Sequence, residues 1–200
     1  MAYIVTLHPS VPAKSIKELL ALAKAQPGKL NYGSSGAGTG PHLAGELLNM
    51  MGGVKIVHIP YKGSAPAQTA LMSGEVDLNF ENTLIILPHV KSGRLRPIAA
   101  TGSRRSTLLP DLPTVAEAGL PGFSASGWYG MVAPVAVAKE IVAKLNAEIT
   151  RVLRMPEIAG RLNSMAAEPA PGTPEQFGNF IRSETEKWTR VVKAANMKVD

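Results

Sequence analysis

The sequence predicts an α/β fold with a largely parallel sheet. Short apolar segments alternate with helical segments up to about residue 122, an order that is typical of strands joined by helical crossovers. Glycine and proline separate the segments, as at Pro27-Gly28 and Gly52-Gly53. Beyond residues 127–134 this alternation ends and helical periodicity dominates. A chain of 200 residues with this change of pattern fits one large domain or two smaller lobes.

Each element of the alternating part is predicted from its own pattern. The strand-like segments are AYIVTLHP (2–9), KLNYG (29–33), KIVHIPY (55–61), VDLNFEN (76–82) and LRPIAATG (95–102). The helical segments are SIKELLALAKAQPG (15–28), HLAGELLNMMG (42–52), KGSAPAQTALMSGE (62–75) and TLIILPHVKSG (83–93). Ser15 and Ser64 are predicted N-caps, because a serine oxygen can accept a hydrogen bond from a backbone N–H of the first helical turn.

The remainder of the chain is predicted to be mainly helical. FSASGWYGMVAP (123–134) has a strand-like pattern, and helices are expected over 136–156, 157–165 and 173–196. Thr173 is the predicted N-cap of the last helix, with Pro174 at its first position. The two long helices carry apolar stripes of the kind that usually face a core: Ile141, Val142, Leu145, Ile149, Val152 and Leu153, then Phe177, Phe180, Ile181, Trp188, Val191 and Val192.

The composition excludes several classes of function. The chain has no cysteine, which rules out disulfides, thiolate metal ligands and cysteine nucleophiles. Its net charge of +6 comes from dispersed lysines and arginines, so we expect no nucleic-acid partner and a mild attraction for small anions. No apolar run is long enough to span a bilayer. Pro9 and Pro12 interrupt the opening segment, which carries no export signal.

No metal, cofactor or catalytic site is expected. The histidines are scattered along the chain: His8, His42, His58 and His89. His42 and Glu46 lie one helical turn apart, but no second histidine completes a zinc motif, so a capping or supporting role is favoured for His42. Asp77 and Glu81 share a strand face only by simple alternation, and no nucleophile, base and orienting group are indicated together.

The most informative segment is YGSSGAGTGPHLAGELL (32–48), a glycine-rich turn between a strand and a helix. Thr39-Gly40 stand where a phosphate loop requires lysine and a hydroxyl residue. Pro41 breaks the dinucleotide-binding pattern, and Ala37 breaks the nucleophile elbow. What remains is a helix start whose backbone N–H groups and dipole suit an anionic oxygen. The spacing leaves open the alternative of a tight turn that only packs helix on sheet.

Two turns of this kind are candidate binding sites for an anionic group of a ligand. In the first, Ser34, Ser35 and Thr39 supply hydroxyl groups, while Gly36 and Gly38 let the backbone approach a ligand closely.

The second turn, YKGSAPAQ (61–68), repeats the arrangement with Gly63 and Ser64 before a helix. Lys62 adds a positive charge there, with a solvent-facing role as the alternative. Two helix N-termini directed at one cleft would suit a ligand with two separated carboxylates.

Four sequence blocks occur in a characteristic order and spacing. They are LNYGSSGAGTGPHLAGELL (30–48), VHIPYKGSAPAQTALMSGEVDL (57–78), GRLRPIAATGSRRSTLLPDLPTVAEAGLPGF (93–123) and GWYGMVAP (127–134). Together they closely resemble the Bug-type solute-binding proteins, the extracytoplasmic receptors of tripartite tricarboxylate transporters. The resemblance runs from about Leu7 to the C-terminus.

This resemblance implies a periplasmic-binding-protein-like fold of type II and a periplasmic, non-enzymatic receptor without a cofactor. The implied ligand is a small organic carboxylate, such as a dicarboxylate, a tricarboxylate or an acidic amino acid, and the implied partners are the membrane subunits of the transporter. By position, the ligand would contact the loop 34–39, the turn Lys62–Pro66 with Gly63, Ser64 and Ala65, and also Glu81 and Trp128. Glu81 would repel an anion unless it binds a ligand amine or points away.

Members of this family begin with a further segment that is absent here, so the chain resembles an N-terminally truncated receptor. The resemblance implies that residues 9–127 form the complete second lobe, and that residues 1–8 and 128–200 are the remnant of the first lobe. The apolar helices of that remnant would lack partners, which predicts a homodimer that covers them. The alternative function is a ligand-sensing regulatory domain of the same fold.

Overall fold

The computed structural model describes residues 1–197, so the last three residues of the predicted segment 128–200 lie outside it. The strands are β1 (Tyr3–Leu7), β2 (Asn31–Ser34), β3 (Val57–Pro60), β4 (Leu78–Asn82) and β5 (Arg96–Ala100). The helices are α1 (Ile16–Ala25), α2 (Gly40–Gly52), α3 (Ser64–Ser73), α4 (Thr83–Lys91), α5 (Lys139–Leu153), α6 (Pro156–Ser164) and α7 (Pro174–Ala194). The predicted alternation of strands and helices is confirmed up to β5.

Local capping explains where several helices begin. The Ser15 side chain accepts a hydrogen bond from the Glu18 N–H, and Thr173 forms a complete capping box with Gln176. The prediction for α3 is wrong by one residue, because Gly63 is its N-cap and Ser64 is its first helical residue. Gly63 has φ of 111°, a conformation that glycine adopts much more readily than serine.

The five strands form one mixed sheet in the order β3-β2-β4-β1-β5. β2 pairs in parallel with β3 and β4, whereas β1 is antiparallel to both β4 and β5. Four strands therefore run in the same direction, and the predicted largely parallel sheet has one reversed strand inside it. β1 lies within residues 1–8, which the family resemblance assigned to the first lobe, and its ladder hydrogen bonds join it to β4 and β5 of this sheet.

The two faces of the sheet are covered by different helices. Val5, Tyr32 and Phe80 belong to the main core, together with buried residues of α1 and α2 and one residue of α7, Val191. On the opposite face, which we call the lower face, Ile4 packs with Ile86 of α4, and α3 contributes a second small apolar cluster. This arrangement places the helix starts of α2, α3 and α4 at the edge where β2, β3 and β4 end.

The C-terminal part is much less buried. α5 and α6 contain no buried residue, and Val191 is the buried residue of α7. The strand predicted over 123–134 is wrong: Ser126 forms one isolated bridge with Ala2, and the segment is otherwise irregular. No helix within residues 1–197 has the length and apolar character needed to cross a membrane.

Candidate functional site

The glycine loop after β2 is held in shape by its own side chains. Ser34 is buried, and its Oγ donates to the Gly36 carbonyl at 3.0 Å and accepts from the Gly36 N–H at 3.1 Å. The Thr39 hydroxyl donates to the same carbonyl at 2.7 Å. Gly36 and Gly38 have φ of 141° and 73°, which only glycine adopts without strain. These hydroxyls therefore fix the loop instead of pointing freely at a ligand.

The two predicted turns lie side by side. The Gly63 N–H donates to the Ser35 carbonyl at 3.1 Å, and the Tyr61 N–H donates to the Ser34 carbonyl at 3.0 Å. These bonds continue the parallel pairing of β2 and β3 beyond the strand ends. The N-termini of α2 and α3 are thereby brought to one edge of the sheet, where both helix dipoles favour negative charge.

Several polar groups at this edge remain available. The N–H groups of Ser35, Ala37 and Gly40 have no hydrogen-bond acceptor within residues 1–197, and the same is true of the Ser35 and Ser64 hydroxyls. Lys62 is exposed beside them. Backbone N–H groups at a helix start are the usual donors to a carboxylate in proteins. The edge therefore offers amide, hydroxyl and ammonium donors within two adjoining turns.

A pair of stacked histidines, beside Tyr32 on the main-core face of the sheet, supports the glycine loop. The rings of His42 and His58 lie 3.6 Å apart with an interplanar angle of 10°. His42 Nδ1 accepts a hydrogen bond from the Gly38 N–H at 3.0 Å, and His58 Nε2 lies 2.6 Å from Ser34 Oγ. The supporting role expected for His42 agrees with this geometry. The sequence pattern did not single out His58. In the β2–β3 register His58 stands opposite Tyr32, so the two side chains lie on the same face of the sheet.

Burial keeps this histidine pair neutral. The pKa of His58 is lowered to about 4, mainly by burial and in addition by charge repulsion from the neighbouring His42. Burial also lowers the pKa of His42, with Glu46 opposing the shift. A neutral His42 is required at the loop, since a protonated Nδ1 could not accept the Gly38 N–H bond.

We expect the protein to lose stability at acidic pH because of this histidine pair. The unfolded chain protonates His58 near its ordinary pKa of about 6.5, whereas the folded protein resists protonation down to about 4. The free energy of unfolding should therefore fall as pH drops between these values, by about 1 kcal/mol once partial exposure is allowed for. Urea denaturation at pH 7 and pH 4.5 measures the change. His58→Gln should reduce this loss of unfolding free energy, whereas His89→Gln, which lies outside the stack, should leave it unchanged. An equal loss between pH 7 and pH 4.5 in all three proteins would contradict a lowered pKa for His58.

Tyr3 is a second residue that the sequence did not indicate. A Cβ on Gly40 would lie 2.8 Å from Tyr3 Cζ, and one on Gly127 would lie 3.0 Å from Tyr3 Oη. The phenol therefore sits between the start of α2 and the segment before Trp128. Burial raises the pKa of Tyr3, with further contributions from Tyr129 and Glu81, so its hydroxyl remains a neutral donor.

Glu81 and Trp128, the other two predicted ligand contacts, interact with neighbours outside the two turns. Glu81, at the end of β4, is buried, and its Oε1 accepts a hydrogen bond from the Asn82 N–H at 2.8 Å. Trp128 is 42% exposed and makes edge contacts with the rings of Phe177 and Phe180 of α7. Tyr3 connects Trp128 to the loop only indirectly, through Gly127 and Gly40.

A separate cavity lies between residues 102–107 and 124–129 on one side and residues 166–171 and α7 on the other. It has a volume of about 750 Å³, and of the predicted ligand contacts only Trp128 lines it. Arg104, its most exposed cation, already faces Glu168 at 4.0 Å. We favour the two turns as the anion site because they combine helix N-termini with unoccupied donors. Within residues 1–197 no three acidic or histidine side chains are grouped to hold a metal ion.

The structure thus joins one mixed sheet to two adjoining turns, each of which leads into a helix N-terminus. Residues 1–197 match the family described as the tripartite tricarboxylate transporter family receptor. The chain therefore belongs to this family, and the resemblance drawn from the four sequence blocks is confirmed. BugT of Bordetella pertussis is 35% identical over 196 residues, which cover 98% of this chain.

Two solved structures show the same fold with ligands. The chain is similar to R. palustris Rpa4515 with adipate, with a TM-score of 0.82 and 35% identity over 98% of this chain. It is also similar to MatC (Rpa3494) from Rhodopseudomonas palustris with bound malate, with a TM-score of 0.75 and 30% identity over 96% of this chain. The chain spans 60% of the length of BugT and 66% of each of the two solved chains.

Proposed function

We propose that this chain is a solute-binding receptor, or a piece of one, that binds a small carboxylate for a tripartite tricarboxylate transporter. The observation that carries the proposal is the pair of joined turns, 34–40 and 62–65, which bring N–H groups unpaired within residues 1–197 and the Ser35 and Ser64 hydroxyls to one edge of the sheet. Relatives bound to adipate and malate support a carboxylate ligand. The family supports a periplasmic site of action and membrane transporter subunits as partners. It also agrees with a non-enzymatic role, and nothing in the comparisons favours the regulatory alternative.

In this proposal the sheet and its helices form one lobe, and residues 128–197 contribute to a second. A carboxylate of the ligand would accept hydrogen bonds from the N–H groups of Ala37 and Gly40 at the start of α2. Ser35 and Ser64 would add hydroxyl donors, and Lys62 would attract the anion from solvent. Tyr3, held neutral, would be placed to donate a further hydrogen bond.

Isothermal titration calorimetry with adipate and malate tests the proposal. Saturable binding of either acid is expected, because both offer carboxylate oxygens to the two helix N-termini. Hexane-1,6-diol is the matched control, since it keeps the chain length of adipate and lacks the carboxylates. A folded protein that binds neither these acids nor other di- and tricarboxylates would refute the proposal for this chain.

We also propose that a second copy of the chain covers the apolar faces of the C-terminal helices. Ile141 and Leu145 of α5 are 54% and 47% exposed, and Phe180 of α7 is 40% exposed. Exposed apolar stripes of this kind favour association in water. Light scattering should give the mass of a dimer, and Ile141→Glu should shift it to the monomer. A monomeric unsubstituted protein would contradict this assembly.

A further inference from the structure

Two amide side chains are buried on the lower face of the sheet without any hydrogen-bond partner. Asn79 of β4 is 1% exposed and Gln68 of α3 is 4% exposed. The nitrogen and the oxygen of both side chains lack a partner within residues 1–197. Nearly all buried amides in proteins are hydrogen bonded, to protein or to ordered water, so four unpartnered atoms in one layer require an explanation.

The two amides belong to the same layer. Leu78 and Phe80 point into the main core, so Asn79 between them faces α3 and α4. Gln68 lies on the inner side of α3 with Ala67 and Leu71, and α3 packs against β2 and β4. Both side chains are therefore enclosed between α3 and the sheet.

A third polar group lies next to Asn79. In the β1–β4 register Thr6 stands directly opposite Asn79, on the face that Ile4 also occupies. Side chains opposite each other in an antiparallel pair have Cβ atoms about 5 Å apart. Thr6 is fully buried, and its hydroxyl makes only a long contact, 3.4 Å, with the Ile4 carbonyl. It can therefore turn towards a further acceptor or donor.

The apolar residues of the lower face form two separate clusters. Leu71 and Leu95 belong to the cluster under α3, whereas Ile4, Ile86 and Ala100 belong to the cluster under α4. Apolar packing alone would favour one continuous core in this layer. Asn79 lies on β4, between β2, against which α3 packs, and β1, which carries Ile4 of the other cluster.

We propose that Gln68, Asn79 and Thr6 form an internal hydration site that holds one or two water molecules between α3 and the sheet. Water fits because it both donates and accepts, and each amide presents one acceptor oxygen and two N–H donors. Buried waters typically make about three hydrogen bonds, which these three side chains can supply. Gln68 lies one turn beyond Ser64, so the site ties down the helix whose first turn faces the candidate anion site.

A double-mutant cycle tests the arrangement. Gln68→Leu and Asn79→Leu should each lower the folding equilibrium constant by about 10-fold or more, because each leaves the other amide buried without its water network. The double variant removes both amides and should recover to within about 3-fold of the unsubstituted protein. Asn163→Leu, on an exposed position of α6, is the matched control and should change the constant by less than about 3-fold. Additive losses in the double variant would overturn the proposal.

A second test looks for the water directly in the unsubstituted protein, so it does not depend on how the variants fold. Cross-relaxation between long-lived water and the side-chain NH₂ groups of Gln68 and Asn79 is expected in NMR spectra. A high-resolution crystal structure should show ordered water within hydrogen-bond distance of both amides. Coupling in the cycle without such water would mean that the two amides bond directly to each other, and this outcome would also overturn the hydration site.

Discussion

Replacing Gly45 by alanine is expected to lower the free energy of unfolding by about 2 to 3 kcal/mol, although alanine is the better helix former. Gly45 lies in the middle of α2, directly over the ring of Tyr32. A Cβ at this position would overlap the ring carbons and lie 2.8 Å from Tyr32 Oη. The helix can approach the sheet this closely only because residue 45 has no side chain.

Tyr32 has little room to yield. It is 1% exposed, its hydroxyl donates to Glu46 Oε1 at 2.7 Å, and its ring lies 5.0 Å from the ring of His58 and 5.7 Å from that of Phe80. The methyl group must therefore displace α2 itself, and with it the glycine loop at the start of that helix. Overpacking of this kind in a close-packed core outweighs the gain in helix propensity.

Gly160→Ala provides the matched control for this prediction. Gly160 is also inside a helix, α6, but a Cβ there would meet no atom within 4 Å. The same substitution should therefore stabilise the protein by up to about 1 kcal/mol. Urea denaturation measures both free energies of unfolding. A Gly45→Ala protein as stable as Gly160→Ala would show that α2 is not held against Tyr32 as described.

Replacing Gly38 by tryptophan is expected to weaken carboxylate binding by about 100-fold or more, to below detection by calorimetry. Gly38 lies between Ala37 and Gly40, whose N–H groups are the proposed donors. An indole at this position would cover those donors, and each lost charge-assisted hydrogen bond weakens binding by roughly 10-fold or more. The prediction rests on the proposed function and concerns binding, whereas the Gly45 prediction concerns stability alone.

Gly38 has φ of 73°, so any side chain at this position strains the backbone. The effect of this strain on binding must be separated from the covering of the N–H donors by the indole. Gly53→Trp is the matched control: Gly53 has φ of 60°, closes the other end of α2, and would meet no atom within 4 Å of its Cβ. Both variants should lose similar stability in urea, about 1 to 2 kcal/mol, but only Gly38→Trp should lose the ligand. Equal loss of binding in both variants, or full binding by Gly38→Trp, would contradict the placement of the site.

Local features of the fold could be predicted from the sequence. The caps at Ser15 and Thr173 follow from short-range hydrogen bonding, and the glycine loop follows from its own spacing because few residues tolerate φ of 73°. The alternation of apolar segments was enough to order strands and helices up to β5. The cap of α3 was misplaced by one residue because serine is the commoner cap and the φ of Gly63 is not visible in the sequence.

The sequence by itself determined the α/β pattern, the two glycine-containing helix starts and the family, since these depend on near neighbours and on the order of motifs. Only the tertiary structure decided that β1 runs antiparallel inside the sheet and that His42 stacks on His58. It also placed Tyr3 between Gly40 and Gly127, and enclosed two amides under α3. These features join residues far apart in the chain, and such contacts depend on strand order and register, which periodicity along a single segment does not encode.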